Sequence, residues 1–331
     1  MAGEKWNLER LQSESSYWRT CLLITAAHLD VFGWIGKCEK TPSAAARHFG
    51  GDSEGWEMLL NALCGMGLLR KRGGQFLNAR FAARYLAGAE ATCLLPNYDA
   101  WNSWGGLAAI LTTGKRPRIQ KPFISDRAQA KRLLCALDLH AQQIAPYLIE
   151  KLPLSGCRTL LDVGGGLGTF ARAFCRHYPQ LQATLVEHPN ILPLARRAIR
   201  DSGMAKRVRV IGLDISREAL PRGFDGVFVS NILHAHGVAE NRALLTELRH
   251  CLNPGGQLIL RDVFMRRNRT APEWGTLFSM SLLLHTPKGR CYGLDEIIGW
   301  LRQAGFSRIS RPFRSSPLPF DPDSILIAKK G

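Results

Sequence analysis

The spacing of apolar residues changes along the chain near residue 157. Beyond that point, short apolar runs alternate with segments whose apolar residues recur at helical spacing. This alternation predicts a doubly wound α/β sheet with a crevice at the carboxyl ends of its strands. The predicted strands are Thr159–Val163, Ala183–Glu187, Val208–Leu213, Gly226–Ser230, Gln257–Asp262 and Ser324–Ala328, and the predicted helices are Thr169–His177, Ile191–Asp201, Glu240–Cys251 and Leu294–Ala304.

The residues before 157 predict helices and one small hairpin. A helix is expected to start at Thr41-Pro42-Ser43, because proline fits the first helical turn. A hairpin is expected over residues 67–77, turning at Gly73-Gly74. Helices followed by a small hairpin are the outline of a winged helix. The other predicted helices cover residues 6–29 (with an apolar stripe of Trp18, Cys21, Leu22, Thr25 and Leu29), Glu54–Met66, about 92–112 and about 126–150.

Length and cysteine usage narrow the class of protein. A chain of 331 residues exceeds what one hydrophobic core usually serves, so two domains are expected. The polar start from Met1 to Arg10 has no signal core, and no apolar run approaches a membrane span; we therefore expect a cytoplasmic protein. The nine cysteines form no C-x-x-C pair, which favours reduced thiols over disulfides and predicts no metal site.

A glycine-rich segment follows the first predicted strand of the second half. Asp162 sits near the end of this strand, and Gly164-Gly165-Gly166-Leu167-Gly168 leads into the next helix. Glycines at such a turn allow a ligand to approach the backbone closely. The spacing is G-x-G-x-G, whereas enzymes that bind NAD favour G-x-G-x-x-G.

Two further carboxylates end the next two predicted strands. Glu187 is placed to bind both hydroxyls of a ribose, and Asp214 to accept a hydrogen bond from an adenine amino group. With Asp162, they suit a ligand that carries an amine, a ribose and an adenine but no phosphate. The sequence thus favours S-adenosylmethionine (SAM) over NAD as the cofactor. A turn or helix-capping carboxylate is the alternative interpretation of Asp214.

Several motifs together resemble one family. Leu161–Gly168, Glu187-His188-Pro189, Ser230-Asn231-Ile232-Leu233-His234 and Asn253–Leu258 resemble the class I SAM-dependent methyltransferases, and within them the plant caffeate-type and bacterial polyketide-type O-methyltransferases. Met58–Leu69 resembles the winged-helix dimerisation domain of that family. The resemblance implies a seven-stranded Rossmann-like domain, a homodimer and a cofactor site formed by Asp162, Gly164, Gly165, Gly166, Glu187, Asp214 and Ser230.

The resemblance also implies a catalytic pair. Leu233-His234-Ala235-His236 aligns His234 with the general base of the family, although the neighbouring residues differ. A neutral imidazole suits the removal of a hydroxyl proton. Asp262, 28 residues later, is expected to orient the imidazole. The alternatives are a histidine at a helix start without a catalytic role, an Asp262 paired with Arg261 or Arg266, and His236 as a substitute base.

Cys291 departs from the family pattern, because it stands where plant enzymes have a second glutamate. A thiol does not easily replace a carboxylate as an orienting group, so methylation of carbon or nitrogen, or SAM binding without transfer, stays an alternative to O-methylation. The acceptor is expected to be a small, largely apolar aromatic or polycyclic molecule in contact with aromatic and flexible side chains. The predicted contacts are Trp101, Trp104, Phe123, Phe278, Met280, Leu283 and His285.

The net charge of +17 raises a last alternative, a winged-helix DNA-binding regulator that responds to SAM. The helix that would read DNA, Glu54–Met66, contains two glutamates and no Lys or Arg, which argues against groove recognition. We therefore expect a solvated basic surface and no nucleic-acid partner. The predicted domains are a winged-helix dimerisation domain at 1–90, a helical linker at 91–155 that contributes to the acceptor pocket, and the SAM-binding domain at 156–331.

Overall fold

The computed structural model describes residues 17–116, 126–312 and 324–331. The chain forms two compact units, Met1–Trp101 and Asn102–Gly331. In the described ranges, no helix is long and apolar enough to cross a membrane. The finer division into three parts, at residues 90 and 155, stays a prediction.

The first unit consists of short helices and a two-stranded hairpin, as the sequence predicts. Its core is formed around the fully buried Phe32, Leu60 and Phe76. The hairpin turns at Gly73-Gly74, where both φ angles are positive. Two-residue hairpin turns with positive φ at both residues match the twist of the flanking strands. The elements are α1 (Trp18–His28), α2 (Val31–Ile35), α3 (Pro42–Phe49), α4 (Ser53–Gly65), β1 (Leu69–Arg72), β2 (Gln75–Asn78), α5 (Arg80–Tyr85), a 3-10 helix (Ala89–Leu94) and most of α6 (Leu95–Trp104).

Of the helix expected over residues 6–29, residues 6–16 lie outside the described residues, and α1 spans Trp18–His28. In the predicted stripe, Cys21, Leu22 and Thr25 are partly buried and Trp18 is 71% exposed, whereas the buried residues of α1 are Ile24, Ala26 and Ala27. One prediction for this region is corrected. The single helix expected over 92–112 is interrupted at Gly105-Gly106, because glycine disfavours a helix interior.

The second unit contains a seven-stranded sheet with helices on both faces. The strand order is β5-β4-β3-β6-β7-β9-β8; β3 to β7 are parallel, and β9 is antiparallel to β7 and β8. The strands are β3 (Thr159–Val163), β4 (Gln182–Glu187), β5 (Val208–Gly212), β6 (Phe224–Ser230), β7 (Leu252–Arg261), β8 (Phe306–Ser310) and β9 (Ile325–Lys330). The helices are α7 (Leu107–Thr113), α8 (Arg127–Ile149), α9 (Thr169–His177), α10 (Leu192–Asp201), a 3-10 turn (Leu233–Ala235), α11 (Val238–Cys251), α12 (Glu273–His285) and α13 (Leu294–Gln303).

The order of the strands determines where the crevice lies. Chain order reverses between β3 and β6, and in an open α/β sheet the ligand site lies at the carboxyl ends of strands at this switch point. On one face of the sheet, α8 and α9 pack through the aromatic cluster of Phe170, Phe174 and Phe228. On the other face, α11 and α13 cover a second core that includes Leu245 and Leu301.

The strand β8 was not predicted from the sequence. Its residues Phe306–Ser310 bury only the first side chain, and the remaining side chains are exposed or partly exposed, which is typical of an edge strand. Such a segment has no alternating apolar pattern to distinguish it from a loop. The position of β9 between β7 and β8 completes the sheet.

Candidate functional site

The glycine-rich turn after β3 forms the floor of the crevice. Gly164, Gly166 and Gly168 have φ angles of 65°, 59° and 77°, a region that favours glycine. A side chain at Gly164 would collide with Ile232, which extends from the loop after β6. One at Gly165 would lie 2.5 Å from Asp162 Oδ2 and 2.5 Å from Leu185 Cδ1. The backbone of this turn is therefore open to a ligand because no side chain fits there.

Asp162 is a buried carboxylate that lacks a partner. It is 1% exposed, and neither carboxylate oxygen has a hydrogen-bond partner within the described residues. Burial and the negative charge of Glu187 raise the pKa of Asp162 to about 7; the nearby Ala171 amide opposes this shift without reaching hydrogen-bond geometry. An unpaired buried carboxylate is costly, so the position suits a ligand that brings a hydrogen-bond donor or a positive charge.

Glu187 ends β4 beside the turn. Its Oε2 accepts a hydrogen bond from Gly166 N at 2.8 Å, and its Oε1 accepts one from His188 N at 2.7 Å. Burial raises the pKa of this carboxyl, and the two amide hydrogen bonds oppose the shift. The carboxylate is thus held rigidly at the strand end, with lone pairs left for a further donor.

Asp214 lies beyond the end of β5, in a turn. Its Oδ1 accepts hydrogen bonds from Ser216 N at 3.0 Å and Ser216 Oγ at 2.6 Å, and the Ser216 hydroxyl lowers the pKa of the carboxyl. Arg217 lies 3.6 Å from Oδ2. The carboxylate therefore stabilises its own turn, and its role toward an adenine stays a prediction.

The loop after β6 brings two predicted residues to the crevice. Ser230 is the last residue of β6, and its Oγ accepts a hydrogen bond from Arg261 Nη1 at 3.0 Å. Asn231 then adopts a left-handed conformation (φ 59°), which asparagine tolerates better than most residues. This reversal turns the chain so that Ile232 lies over the glycine turn and His234 faces the end of β7.

His234 and Asp262 form a close pair. His234 Nδ1 lies 2.7 Å from Asp262 Oδ1, and the His234 backbone amide donates to Asp262 Oδ2 at 3.3 Å. Val263 N also donates to Asp262 Oδ1, at 2.7 Å. An ionised carboxylate only accepts hydrogen bonds, so Nδ1 carries the proton and Nε2 of a neutral imidazole carries a free lone pair.

The alternative partners that the sequence suggests for Asp262, Arg261 or Arg266, form no ion pair with it in the described residues. Arg261 directs its side chain to Ser230, because consecutive residues of a strand point to opposite faces of the sheet. The Asp262 side chain is only 2% exposed and is fully engaged with His234 and two backbone amides. The sequence suggests no role for Arg261 other than as a partner for this carboxylate. The signal that was missed is a lone arginine at the end of the apolar run Leu258-Ile259-Leu260.

An aromatic pair on α12 borders the histidine. The Phe278 ring meets the His234 ring edge to face, with 4.9 Å between centroids. Trp274, one turn earlier, stacks on Phe278 at 5.8 Å with an angle of 6° between the planes and is 65% exposed. This ring stack offers an apolar surface for a planar molecule beside the imidazole. Trp274 was not among the residues predicted from the sequence.

Cys291 lies near Asp262 in apolar surroundings. It packs with Met265 and Leu282 and is 4% exposed. Burial raises the pKa of the thiol to about 11, with a smaller contribution from the charge of Asp262, while the Ser279 hydroxyl opposes the shift. The thiol is therefore neutral near pH 7 and does not take over the charge of a carboxylate.

The other predicted acceptor residues occupy different places. Met280, Leu283 and His285 lie on α12 and are partly buried. His285 Nδ1 lies 2.8 Å from Ser281 O, which leaves a buried Nε2 with no hydrogen-bond partner in the described part of the chain. Trp101 and Trp104, at the end of α6, are 39% and 42% exposed. Phe123 lies outside the described residues.

Two other features of the described residues bear on the chemistry. No cluster of three or more His, Cys, Asp or Glu side chains in the described ranges has the arrangement of a metal site. A surface hollow of about 420 Å³ is lined by Pro153, Gly256 and Lys329, among others. It lies at the amino ends of β6 and β7, opposite the glycine turn, and is therefore separate from the crevice.

The fold and the crevice together define a class of protein, the SAM-dependent methyltransferases, and comparisons with known proteins identify the family. A family model for the O-methyltransferase domain matches residues 122–307. The chain is 28% identical over 309 residues to the 3-hydroxy-5-methyl-1-naphthoate 3-O-methyltransferase of Streptomyces sahachiroi, with 91% of this chain and 89% of that protein covered. It is 27% identical over 332 residues to the tetracenomycin polyketide synthesis 8-O-methyltransferase TcmO of Streptomyces glaucescens, with 97% and 96% covered.

A solved structure agrees with the fold. Human N-acetylserotonin methyltransferase in complex with SAM matches with a TM-score of 0.84 and 20% identity over the full length of both chains. The chain belongs to the O-methyltransferase family. It is a SAM-dependent O-methyltransferase. The unpaired Asp162 carboxylate and the turn that excludes side chains fit this cofactor, which carries an ammonium group.

Proposed function

We propose that the enzyme methylates a hydroxyl group on a polycyclic aromatic molecule and that His234 removes the hydroxyl proton. The observation that carries this proposal is the 2.7 Å contact between His234 Nδ1 and Asp262, because it leaves Nε2 of the imidazole free to accept a proton. The names of the two Streptomyces relatives support the acceptor class, since one acts on a naphthoate and the other in polyketide synthesis.

The mechanism assigns the proton to one atom. The hydroxyl of the acceptor donates a hydrogen bond to His234 Nε2, and the proton moves to this nitrogen as the oxygen becomes a nucleophile. SAM supplies a methyl group on a positively charged sulfur. Asp262 then stabilises the imidazolium through Nδ1 and keeps the ring oriented throughout. General-base catalysis of this kind contributes about 10²- to 10⁴-fold to the rate.

The residues proposed to hold SAM surround the glycine turn. Gly164, Gly165 and Gly166 provide a surface without side chains. Asp162 would receive the ammonium group, and Glu187 the ribose hydroxyls, since each carboxylate keeps unused acceptor capacity. Asp214 is proposed for the adenine amino group and Ser230 for the amino-acid part of SAM.

The acceptor is proposed to lie against the ring stack of Trp274 and Phe278. Face-to-face stacking on an exposed indole suits a flat, fused ring system better than a flexible chain. Met280 and Leu283 would add adaptable apolar contacts, and the unpaired Nε2 of His285 would accept a hydrogen bond from a second polar group. For Trp101, Trp104 and Phe123, contact with the acceptor stays a prediction.

A product analysis tests this proposal. The enzyme is incubated with methyl-labelled SAM and a panel of hydroxylated naphthalenes and larger fused aromatics, and mass spectrometry locates the label. Transfer to oxygen of a fused aromatic, and none to the same ring with its hydroxyl already methylated, is the expected result. Label on a ring carbon or on an amine would contradict O-methylation of this acceptor class. Efficient labelling only of non-aromatic alcohols would contradict the acceptor class alone.

We also propose that the enzyme is a cytoplasmic homodimer whose interface includes the first unit. Trp18 and Tyr17 are 71% and 60% exposed on or beside α1, and Met58 on α4 is 63% exposed, so this unit presents large apolar side chains to solvent. Sedimentation at micromolar concentration is expected to give a dimer, and Trp18→Ser to shift it toward monomer. A wild-type protein that sediments only as monomer would contradict the proposal.

A further inference from the structure

One buried charge in the second unit has no role in the catalysis described above. Arg261, at the end of β7, is 7% exposed, and its Nη1 donates a hydrogen bond to Ser230 Oγ at 3.0 Å. Its Nε has no hydrogen-bond partner, and no carboxylate of the described residues lies within salt-bridge distance. The guanidinium carbon lies 5.9 Å from the centre of the Phe170 ring.

A buried guanidinium without a salt-bridge partner is exceptional. Arginine stays protonated even when burial lowers its pKa, as it does here, and proteins normally pair such a charge with an anion. The positive charge of Arg261 also affects a residue on a neighbouring helix. His140 on α8 is exposed to solvent, yet desolvation by the surrounding protein lowers its pKa, and the positive charge of Arg261 lowers it further. The nearby charge of Asp262 raises the pKa of Arg261 and partly offsets burial, but Asp262 is paired with His234, and no salt bridge to the guanidinium forms within the described residues.

The position of Arg261 relative to Asp162 indicates what kind of ligand group would pair with the guanidinium. Both residues are at the carboxyl ends of their strands, on either side of β6, with Asp162 paired in register to Phe228 and Arg261 to Ser230. Side chains two residues apart on a strand share a face, so Asp162, Ser230 and Arg261 all lie on the face covered by α8 and α9. Two strand spacings separate Asp162 from Arg261, which is about 10 Å across the sheet.

Two unpaired buried charges of opposite sign thus flank one strand end. We propose that Arg261 binds the α-carboxylate of the amino-acid part of SAM while Asp162 receives its ammonium group. An amino-acid zwitterion satisfies both charges at once, and its carboxylate is the one anionic group of this cofactor. The assignment rests on the SAM site proposed around the glycine turn and adds a residue to it.

The geometry favours the cofactor over the acceptor as the source of this carboxylate. Asp262 and His234, which mark the reacting hydroxyl, pair on the opposite side of β7 from the Arg261 side chain. Arg261 instead shares its hydrogen bond with Ser230, directly beside the turn that carries Ile232 over Gly164. A carboxylate on the acceptor would have to cross the sheet edge to reach it.

The test compares two ligands that differ only in the carboxylate. Calorimetry measures the Kd of S-adenosylhomocysteine and of its decarboxylated analogue, S-adenosyl-3-thiopropylamine, for wild type, Arg261→Met and Arg261→Lys. We expect Arg261→Met to weaken S-adenosylhomocysteine binding by about 10- to 100-fold and to leave binding of the analogue within about threefold. Arg261→Lys, which restores the charge without the planar donor pair, is expected to recover part of the loss.

A matched variant controls for the removal of any arginine from this face. Arg172 of α9 is also largely buried, but it is paired with Asp138 at 2.8 Å. Arg172→Met is expected to leave the ratio of the two Kd values unchanged. Thermal denaturation of the ligand-free proteins gives a second measurement. Arg261→Met is expected to keep or raise the Tm, because it removes an unpaired buried charge, whereas Arg172→Met is expected to lower it.

Each outcome has a distinct meaning. Equal weakening of both ligands by Arg261→Met, or a fall in its ligand-free Tm, would overturn the proposal and indicate a structural role. No change in either Kd would also overturn it. Failure of the wild type to bind S-adenosylhomocysteine, or unaltered binding by Gly165→Ala, would instead count against the proposed SAM site itself.

Discussion

The two sides of the crevice differ in how far their polar groups are already paired. On the side proposed to hold the cofactor (the cofactor side), defined by Asp162, the glycine turn and Arg261, the buried charges lack salt-bridge partners and side chains are excluded from the turn. On the base side, defined by His234, Asp262 and Phe278, each polar group of the pair is held by short hydrogen bonds. A site that binds a charged ligand has charged groups that stay unpaired until the ligand binds. A site that transfers a proton instead needs its groups held in position before the ligand binds.

The largest effect is expected on the base side. His234→Ala removes the proton acceptor, so we expect kcat to fall by about 10²- to 10⁴-fold while the Kd of S-adenosylhomocysteine changes by less than about threefold. Steady-state kinetics and calorimetry measure the two effects separately. The matched control is His236→Ala, two residues away, whose kcat is expected to fall by less than about tenfold. A larger loss in His236→Ala than in His234→Ala would make His236 the base.

The next effect tests the unpaired charge at Asp162. Burial raises the pKa of this carboxyl to about 7 in the ligand-free native state, from an ordinary value of 3.8 in the unfolded chain. The native state therefore binds this proton more tightly than the unfolded chain does. The resulting stabilisation is fully present below about pH 4 and is lost as the pH rises through 7. We expect Asp162→Asn to be more stable than wild type at pH 8. The difference in free energy of unfolding between the variant and wild type is expected to be larger at pH 8 than at pH 5, by about 3 kcal/mol at most.

Thermal or urea denaturation of the ligand-free proteins at pH 5 and pH 8 measures this difference. The same variant is expected to bind S-adenosylhomocysteine more weakly at pH 8, because the charge proposed to receive the ammonium group is gone. The exposed Asp201, paired within α10 to Arg197, provides the control: Asp201→Asn is expected to show no such pH dependence. An Asp162→Asn protein that is less stable than wild type at both pH values would contradict the account of Asp162 as an unpaired charge.

A smaller effect is expected from the glycine turn. In Gly165→Ala the new methyl group would displace Asp162 or Leu185, each 2.5 Å from its position, and we expect the Kd of S-adenosylhomocysteine to rise by about tenfold. Calorimetry measures this Kd. Gly156→Ala is the control, because no atom lies within 4 Å of the added methyl group and its φ is not positive. Equal Kd values for the two variants would mean that the close packing at Gly165 does not shape the site.

The smallest effect is expected at Cys291. Because its thiol is neutral and buried, Cys291→Ala should change kcat by less than about threefold and lower the stability by about 1 kcal/mol through the lost packing. Cys175→Ala, another buried cysteine on α9, is expected to behave similarly in stability. A loss of kcat above tenfold in Cys291→Ala alone would show that the thiol takes part in catalysis and that the base side has more members than His234 and Asp262.

The sequence by itself determined the features that depend on neighbouring residues. Apolar periodicity located six of the seven strands of the sheet, and the glycine spacing after Asp162 predicted a turn open to a ligand; both follow from local backbone geometry and burial. The same local rules failed for β8, an exposed edge strand, and for the helix interrupted at Gly105-Gly106. In β8, solvent exposure removes the alternating apolar pattern. At Gly105-Gly106, glycine interrupts the helix although apolar residues continue on both sides.

Only the tertiary structure decided which side chains meet. His234 and Asp262 are 28 residues apart, and the resemblance to a family named them, but their 2.7 Å contact depends on the parallel pairing of β6 with β7 and on the left-handed turn at Asn231. Arg261 and Asp262 are adjacent in the chain, yet the pleat of the strand sends one to the cofactor side and the other to the base side. Burial, pairing and the direction of a side chain are properties of the packed sheet, and no local pattern encodes them.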